Sequence, residues 1–167
     1  MQTLLVVLRL FNPGAESYAP YIEAAAKKYD FDPLLIAAVI HKETKFQRKK
    51  CYRGSHGLMQ IQLRAGRLRT CAATWPAAYQ KKLYTPKVNI LRGTKLMYYW
   101  RRWAHSIGAD WHWLLNYNQG FGRCHKRGCK RRERVPIQTG KVGGYAKRVL
   151  KIYEKLLTIK ASRFPNG

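Results

Sequence analysis

A chain of 167 residues, 46% of them hydrophobic, is long enough to bury one core and too apolar to be disordered. Its 33 lysines and arginines against 8 acids leave a formal charge of +25, which calls for a polyanionic partner: nucleic acid, an anionic membrane or an anionic cell wall. No apolar run approaches the roughly 18 residues of a membrane-crossing helix, so no transmembrane segment is expected.

The chain opens on TLLVVLRLF (3–11), apolar but short and interrupted by Arg9. It reads as the tail of a removed export signal, or as a first strand or helix packed on the domain; no full signal peptide is legible. Ser17 is positioned to cap a helix running to about Tyr29, with Ile22, Ala25 and Ala26 inward. Asp32 followed by Pro33 is a cap and a first-turn proline, and it predicts the start of the next helix. That helix carries IAAVIHKETKF (36–46), in which Ile36, Val39, Ile40 and Glu43 fall at i, i+3, i+4 and i+7 on one apolar face. Residues 48–56, RKKCYRGSH, are basic and turn-prone and read as a loop; GLMQIQL (57–63) reads as a short helix or an extended piece.

Residues 65–86 are mixed, punctuated by Pro76 and Pro86. From Asn89 onward, Ile90, Gly93, Met97 and Trp100 recur at helical spacing, and Asp110 can cap a short helix, WHWLLNYN, that stops at Gly120. A basic loop follows, FGRCHKRGCKRRERV (121–135). Tyr145, Val149, Ile152, Leu156 and Ile159 then step by 4, 3, 4 and 3 along a last helix. There is no internal repeat and no linker, and strand signals are weak. The expected class is mostly α with little or no β, in a single domain over 1–167.

Four cysteines, Cys51, Cys71, Cys124 and Cys129, allow two disulfides in an oxidising compartment, with three possible pairings. A four-thiolate zinc site is the competing reading, weakened by the separation of Cys51 from Cys71.

Glu43 is the residue that asks for an explanation. A glutamate near a helix end ordinarily snorkels to solvent or pairs with a neighbour such as Lys42 or Arg48. This one lies on an apolar stripe, no further acid occurs until Asp110, and a Gly-Leu-Met-Gln segment begins 14 residues later. A carboxyl in an apolar setting tends to keep its proton, as a general acid must near neutral pH. Protonation of a glycosidic oxygen is a reaction that uses such a group.

Five segments in order, IAAVIHKETKF, GSHGLMQIQ (54–62), VNILRGTKLMYYW (88–100), LLNYNQGFGR (114–123) and GGYAKRVLKIY (143–153), resemble the soluble lytic transglycosylase family over about residues 20–155. The resemblance implies a lysozyme-like catalytic domain of the goose type that cleaves peptidoglycan between N-acetylmuramic acid and N-acetylglucosamine. It implies Glu43 as acid and then base, Gln60 lining the cleft, Tyr117 and Asn118 contacting substrate, and Tyr145 as the late tyrosine whose hydroxyl approaches the glutamate. Met59 is expected beneath the cleft. The family's usual serine after the glutamate is here Thr44. Gln62 takes the place of a groove methionine, and Asn116 and Gln119 replace alanines around Tyr117 and Asn118, which makes the groove wall more polar.

Glycosidases ordinarily use two carboxylates, and no second one is evident here. The family's non-hydrolytic route needs only one, giving a 1,6-anhydromuramic product; a muramidase that hydrolyses the same bond is the alternative. A non-catalytic cationic module for wall or nucleic acid is the alternative of another class, although no nucleic-acid-binding motif is present. Cations at Arg123, Lys126, Arg127, Lys130, Arg131, Arg132 and Arg134 read as a solvated loop or as a tether to anionic wall polymers such as teichoic acids. The expected setting is a periplasmic or secreted monomer acting on peptidoglycan strands, without a cofactor or metal.

Overall fold

The computed structural model describes residues 2–62, 71, 81–106, 113, 114, 117 and 144–165. The chain divides into two compact units, residues 1–95 with 148–167, and residues 96–147. Helices dominate, and the described strands are only two residues long each, so the mostly helical class is the observed one.

In the first unit, the apolar opening forms a helix, α1 (Gln2–Phe11), rather than a strand. Leu4, Val7 and Leu8 form its buried stripe, at i, i+3 and i+4. A 3₁₀ turn, Ala15–Tyr18, leads into α2 (Ala19–Tyr29), which buries Ile22, Ala25 and Ala26 as the periodicity required. Ser17 does not cap α2. Its Oγ donates to the Gly14 carbonyl (2.9 Å), and the helix begins two residues later, with Pro20 in its first turn.

Helix α3 (Pro33–Thr44) begins where Asp32 and Pro33 placed it: Asp32 Oδ1 accepts from the Leu34 amide at 2.7 Å. The second oxygen of the same carboxylate accepts from Tyr153 Oη at 2.7 Å. One side chain therefore caps α3 and ties it to the last helix. Burial, assisted by this bond and by the Asp32 charge, pushes the Tyr153 hydroxyl up to about 12.

The single apolar face expected for α3 understates its surroundings. Ile36, Ala37, Ala38, Val39 and Ile40 are all at 0% exposure, so more than one full turn is buried on every side. The helix lies at the centre of its unit, packed against α1 and α2.

After Thr44 the backbone turns back sharply, with Lys45 and Phe46 both at positive φ (52° and 63°). The turn folds Phe46 under the helix end, where it stacks on Tyr18 with ring centroids 6.1 Å apart. Residues 51–56, read as loop, form a hairpin instead: β1 (Cys51–Tyr52) pairs antiparallel with β2 (Ser55–His56). Arg53 (φ 50°) and Gly54 (φ 76°) make a two-residue turn with positive φ at both positions, the conformation that matches strand twist. β2 then pairs with β3 (Ile61–Gln62), completing a small sheet in the order β1-β2-β3.

Helix α4 (Pro86–Ser106) buries Asn89, Ile90, Gly93, Thr94 and Met97, the stripe seen in the sequence together with two polar members. Helix α5 (Gly144–Arg163) buries Tyr145, Val149 and Leu156, with Ile152 and Ile159 half-buried on the same stripe. Among the described residues no helix is long and apolar enough to cross a membrane.

Candidate active site

Glu43 is the penultimate residue of α3 and is half-buried, one helical turn beyond the fully buried run 36–40. Its position follows from helix geometry: burial of the preceding turns fixes the axis, and the carboxylate is carried out to where the helix ends. His41, two residues earlier, meets Phe11 of α1 edge-on at 4.7 Å, which pins this end of α3 from the other side. Burial, and behind it the charges of Lys45 and Lys155, hold the His41 imidazole below its usual range.

Thr44 connects the helix to the next piece of the site. Its hydroxyl is buried and directed at the Leu58 carbonyl (2.9 Å), with the Ile40 carbonyl a longer second contact (3.2 Å). Leu58 belongs to the Gly-Leu-Met-Gln segment, which is a tight turn closed by the Gln60 amide donating to the Gly57 carbonyl at 3.0 Å. The Thr44 hydroxyl thus sets the distance between the glutamate's helix and this turn.

The turn is held from beneath by Asn89 of α4, a fully buried amide. Its Oδ1 accepts from the Met59 amide (2.7 Å), while its Nδ2 donates to the carbonyls of His56 (2.9 Å) and Leu83 (2.8 Å). Three backbone groups that would otherwise be buried without partners are satisfied by one side chain. Packing is equally close. A Cβ on Gly57 (φ 72°) would run into Asn89 Nδ2 and the Leu83 carbonyl, and one on Gly93 would run into Met59 Sδ. Met59 lies fully buried against Gly93, beneath the turn rather than in solvent.

Gln60 takes positive φ (48°) and remains half-buried; its Nε2 donates back to the Gly57 and Lys50 carbonyls (3.0 and 3.2 Å). Gln62 is exposed on β3, opposite Ser55. Glu43, Thr44, Gln60 and Gln62 all stand in the first unit, and the Thr44–Leu58 bond brings their two segments together. Tyr117, half-buried, and Tyr145, buried, belong to the second unit. Asn118 and the basic stretch 123–134 lie outside the described residues.

Of the three possible cysteine pairings, the bond formed is Cys51–Cys71, which anchors β1, so these two thiols are not metal ligands. Cys124 and Cys129 lie outside the described residues. Among the described residues no group of three His, Cys, Asp or Glu could hold a metal ion.

Asn89 was not singled out from the sequence. A signal was present: it is a polar residue four positions before Gly93, on a helix stripe that is otherwise apolar but for Thr94. A buried amide there needs several backbone partners, and a turn packed against the helix supplies them. His56 is a second residue of this kind. It is buried and joined to Tyr84 Oη at 2.9 Å, and burial holds its imidazole below the usual range.

A mostly helical, lysozyme-like unit that presents a half-buried glutamate at the end of its central helix, beside a braced Gly-Leu-Met-Gln turn, is built for cleaving a glycan. The family comparison makes the assignment specific: residues 20–138 match the transglycosylase SLT domain, and the chain belongs to that family. Its general activity is therefore peptidoglycan cleavage of the lytic transglycosylase type. No solved structure matches the chain.

Proposed function

We propose that the protein cleaves the β-1,4 bond between N-acetylmuramic acid and N-acetylglucosamine without water, leaving a 1,6-anhydromuramic end. Glu43 protonates the bridging oxygen as that bond breaks. The substrate's 2-acetamido carbonyl stabilises the cationic anomeric carbon. The Glu43 carboxylate then removes the proton of the muramic 6-hydroxyl, whose oxygen bonds to that carbon. The proton given is the proton regained, so the glutamate is restored and no second protein acid is required. Gln60, Gln62, Tyr117, Asn118 and Tyr145 are assigned to contacts with the sugars.

The observation that supports this reading is that, among the described residues, the acid nearest to Glu43 in the sequence is held away from it. Asp32, the acid before it in the sequence, is engaged at the opposite end of α3 by the Leu34 amide and Tyr153. Eleven residues of helix at ~1.5 Å each separate the two by about 16 Å. Paired-carboxylate glycosidases need roughly 5–9.5 Å.

The Cys51–Cys71 bond supports action outside the cytoplasm, in the periplasm or after secretion. Digestion of purified peptidoglycan, with products read by mass spectrometry, tests the reaction. Anhydro-muropeptides are expected; products heavier by one water would replace the proposal with a muramidase.

A further inference from the structure

The segment leaving the glutamate's helix is strongly cationic and rigid. Lys45, Arg48, Lys49, Lys50 and Arg53 are exposed within nine residues, and among the described residues none of them is paired with a carboxylate. An ordinary solvated basic loop would be free to spread its charges. This one is fixed along its length. Lys45 caps α3 in a left-handed conformation. The Lys50 carbonyl accepts from the Gly57 amide (2.9 Å) and from Gln60 Nε2 (3.2 Å). Cys51 is cross-linked to Cys71, and Arg53 sits in the hairpin turn with its guanidinium 5.3 Å from the exposed Tyr52 ring. Holding like charges together in this way is unfavourable until an anion meets them.

We propose that this face, residues 45–53, binds a phosphodiester-linked polyanion attached to the glycan that the enzyme cleaves. The inference rests on peptidoglycan being the substrate. The cationic segment is bonded to the Gly-Leu-Met-Gln turn and begins two residues after Glu43, so an anionic polymer grafted on the same strand is the polyanion presented to it. Point cations on a fixed backbone suit repeated phosphates, which are bound by charge without sequence readout. The face holds the enzyme on polymer-bearing wall while Glu43 acts nearby.

The test measures binding of the full chain to soluble poly(glycerol phosphate) over a range of salt. It is repeated with an Arg48→Glu/Lys49→Glu/Lys50→Glu variant and with its glutamine counterpart, whose charge change is milder. Retained helical circular dichroism and retained clearing of walls stripped of phosphodiester polymer by hydrofluoric acid show that each variant is folded. If each engaged cation contributes about 0.7 to the slope of log affinity against log salt, as for a flexible strand, either variant should lower the slope by about 2. Affinity at low salt should fall at least about tenfold, while clearing of stripped walls stays within about twofold of wild type. Polymer binding with an unchanged slope in folded variants would overturn the proposal. So would duplex DNA of matched charge outcompeting the polymer at this face. Absence of glycan cleavage would strike the proposed reaction instead, leaving patch-dependent polymer binding measurable by itself.

Discussion

Helix α3 and the segment 51–62 stand side by side in the first unit, and they are specified in opposite ways. The helix is built from local signals: a cap at Asp32, Pro33 in the first turn, and an apolar run buried all round. The neighbouring segment has two-residue strands and little propensity of its own. It is held by residues far away in the chain: Thr44 at one end, Asn89 beneath, and Cys71 through a disulfide. The difference assigns two tasks. The helix places the Glu43 carboxylate through burial, which many residues share. The turn is placed by a few groups, each of which matters individually.

The comparison breaks most readily at Asn89. Asn89→Ala leaves the Met59 amide and the His56 and Leu83 carbonyls buried without their partner. At about 1–3 kcal/mol for each stranded group, partly offset by relaxation, the expected loss is roughly 3–4 kcal/mol in urea unfolding. Activity should fall even where the variant is folded. A loss below about 1 kcal/mol would show that the turn is held by something else.

Next in size is the cross-link. Cys51→Ser/Cys71→Ser opens a loop with a sequence separation of 20 residues, and loop closure of this length is worth about 3 kcal/mol. Reducing agent should lower the melting temperature of the wild type more than that of the double variant, which keeps only Cys124 and Cys129.

Asp32→Ala acts on the helix side and should cost less, about 1 kcal/mol for a lost cap. It carries a second readout. Without the Asp32 acceptor and charge, the Tyr153 hydroxyl should titrate below its present value of about 12, seen in the ultraviolet absorbance of the phenolate. The wild type loses the corresponding stability as the pH rises from 10 toward 12, because the unfolded tyrosine gives up its proton first. A Tyr153 titration that Asp32→Ala leaves unmoved would remove the latch between α3 and α5.

The smallest effect is shared by both regions. His41 and His56 are each held below the ordinary 6.5 by burial, with Lys45 and Lys155 contributing at His41. Their contribution to stability is complete above 6.5 and is lost as the pH falls through the depressed folded values, since the unfolded chain takes up protons first. A modest decline in melting temperature on the acid side is expected, reduced in His56→Phe. A decline of the same size in that variant would exclude His56 as a source.

What was legible in the sequence follows the same division. The start of α3, the inner stripes of α4 and α5 and the oddity of Glu43 could be read because local cap chemistry and periodicity dictate them. All-round burial of α3 could not, because periodicity shows which face is apolar and not how many neighbours a helix acquires. The hairpin reads as loop in the sequence because its turn is Arg53-Gly54 rather than an Asn-Gly or Asp-Gly pair, and its two-residue strands leave no alternation to detect. Ser17 misled as a cap because a hydroxyl before a helix can equally bond backward, as it does to Gly14. Asn89 escaped notice because its meaning depends on a turn 30 residues earlier in the chain.

The central claim, that Glu43 is the lone acid and then base, is tested most directly by the rate of muropeptide release from Glu43→Gln, in which the carboxylate is replaced by an amide of the same shape. The account predicts a fall of at least about 10²–10⁴-fold with the fold intact, the range for removal of a general acid–base group. Release near the wild-type rate would contradict it.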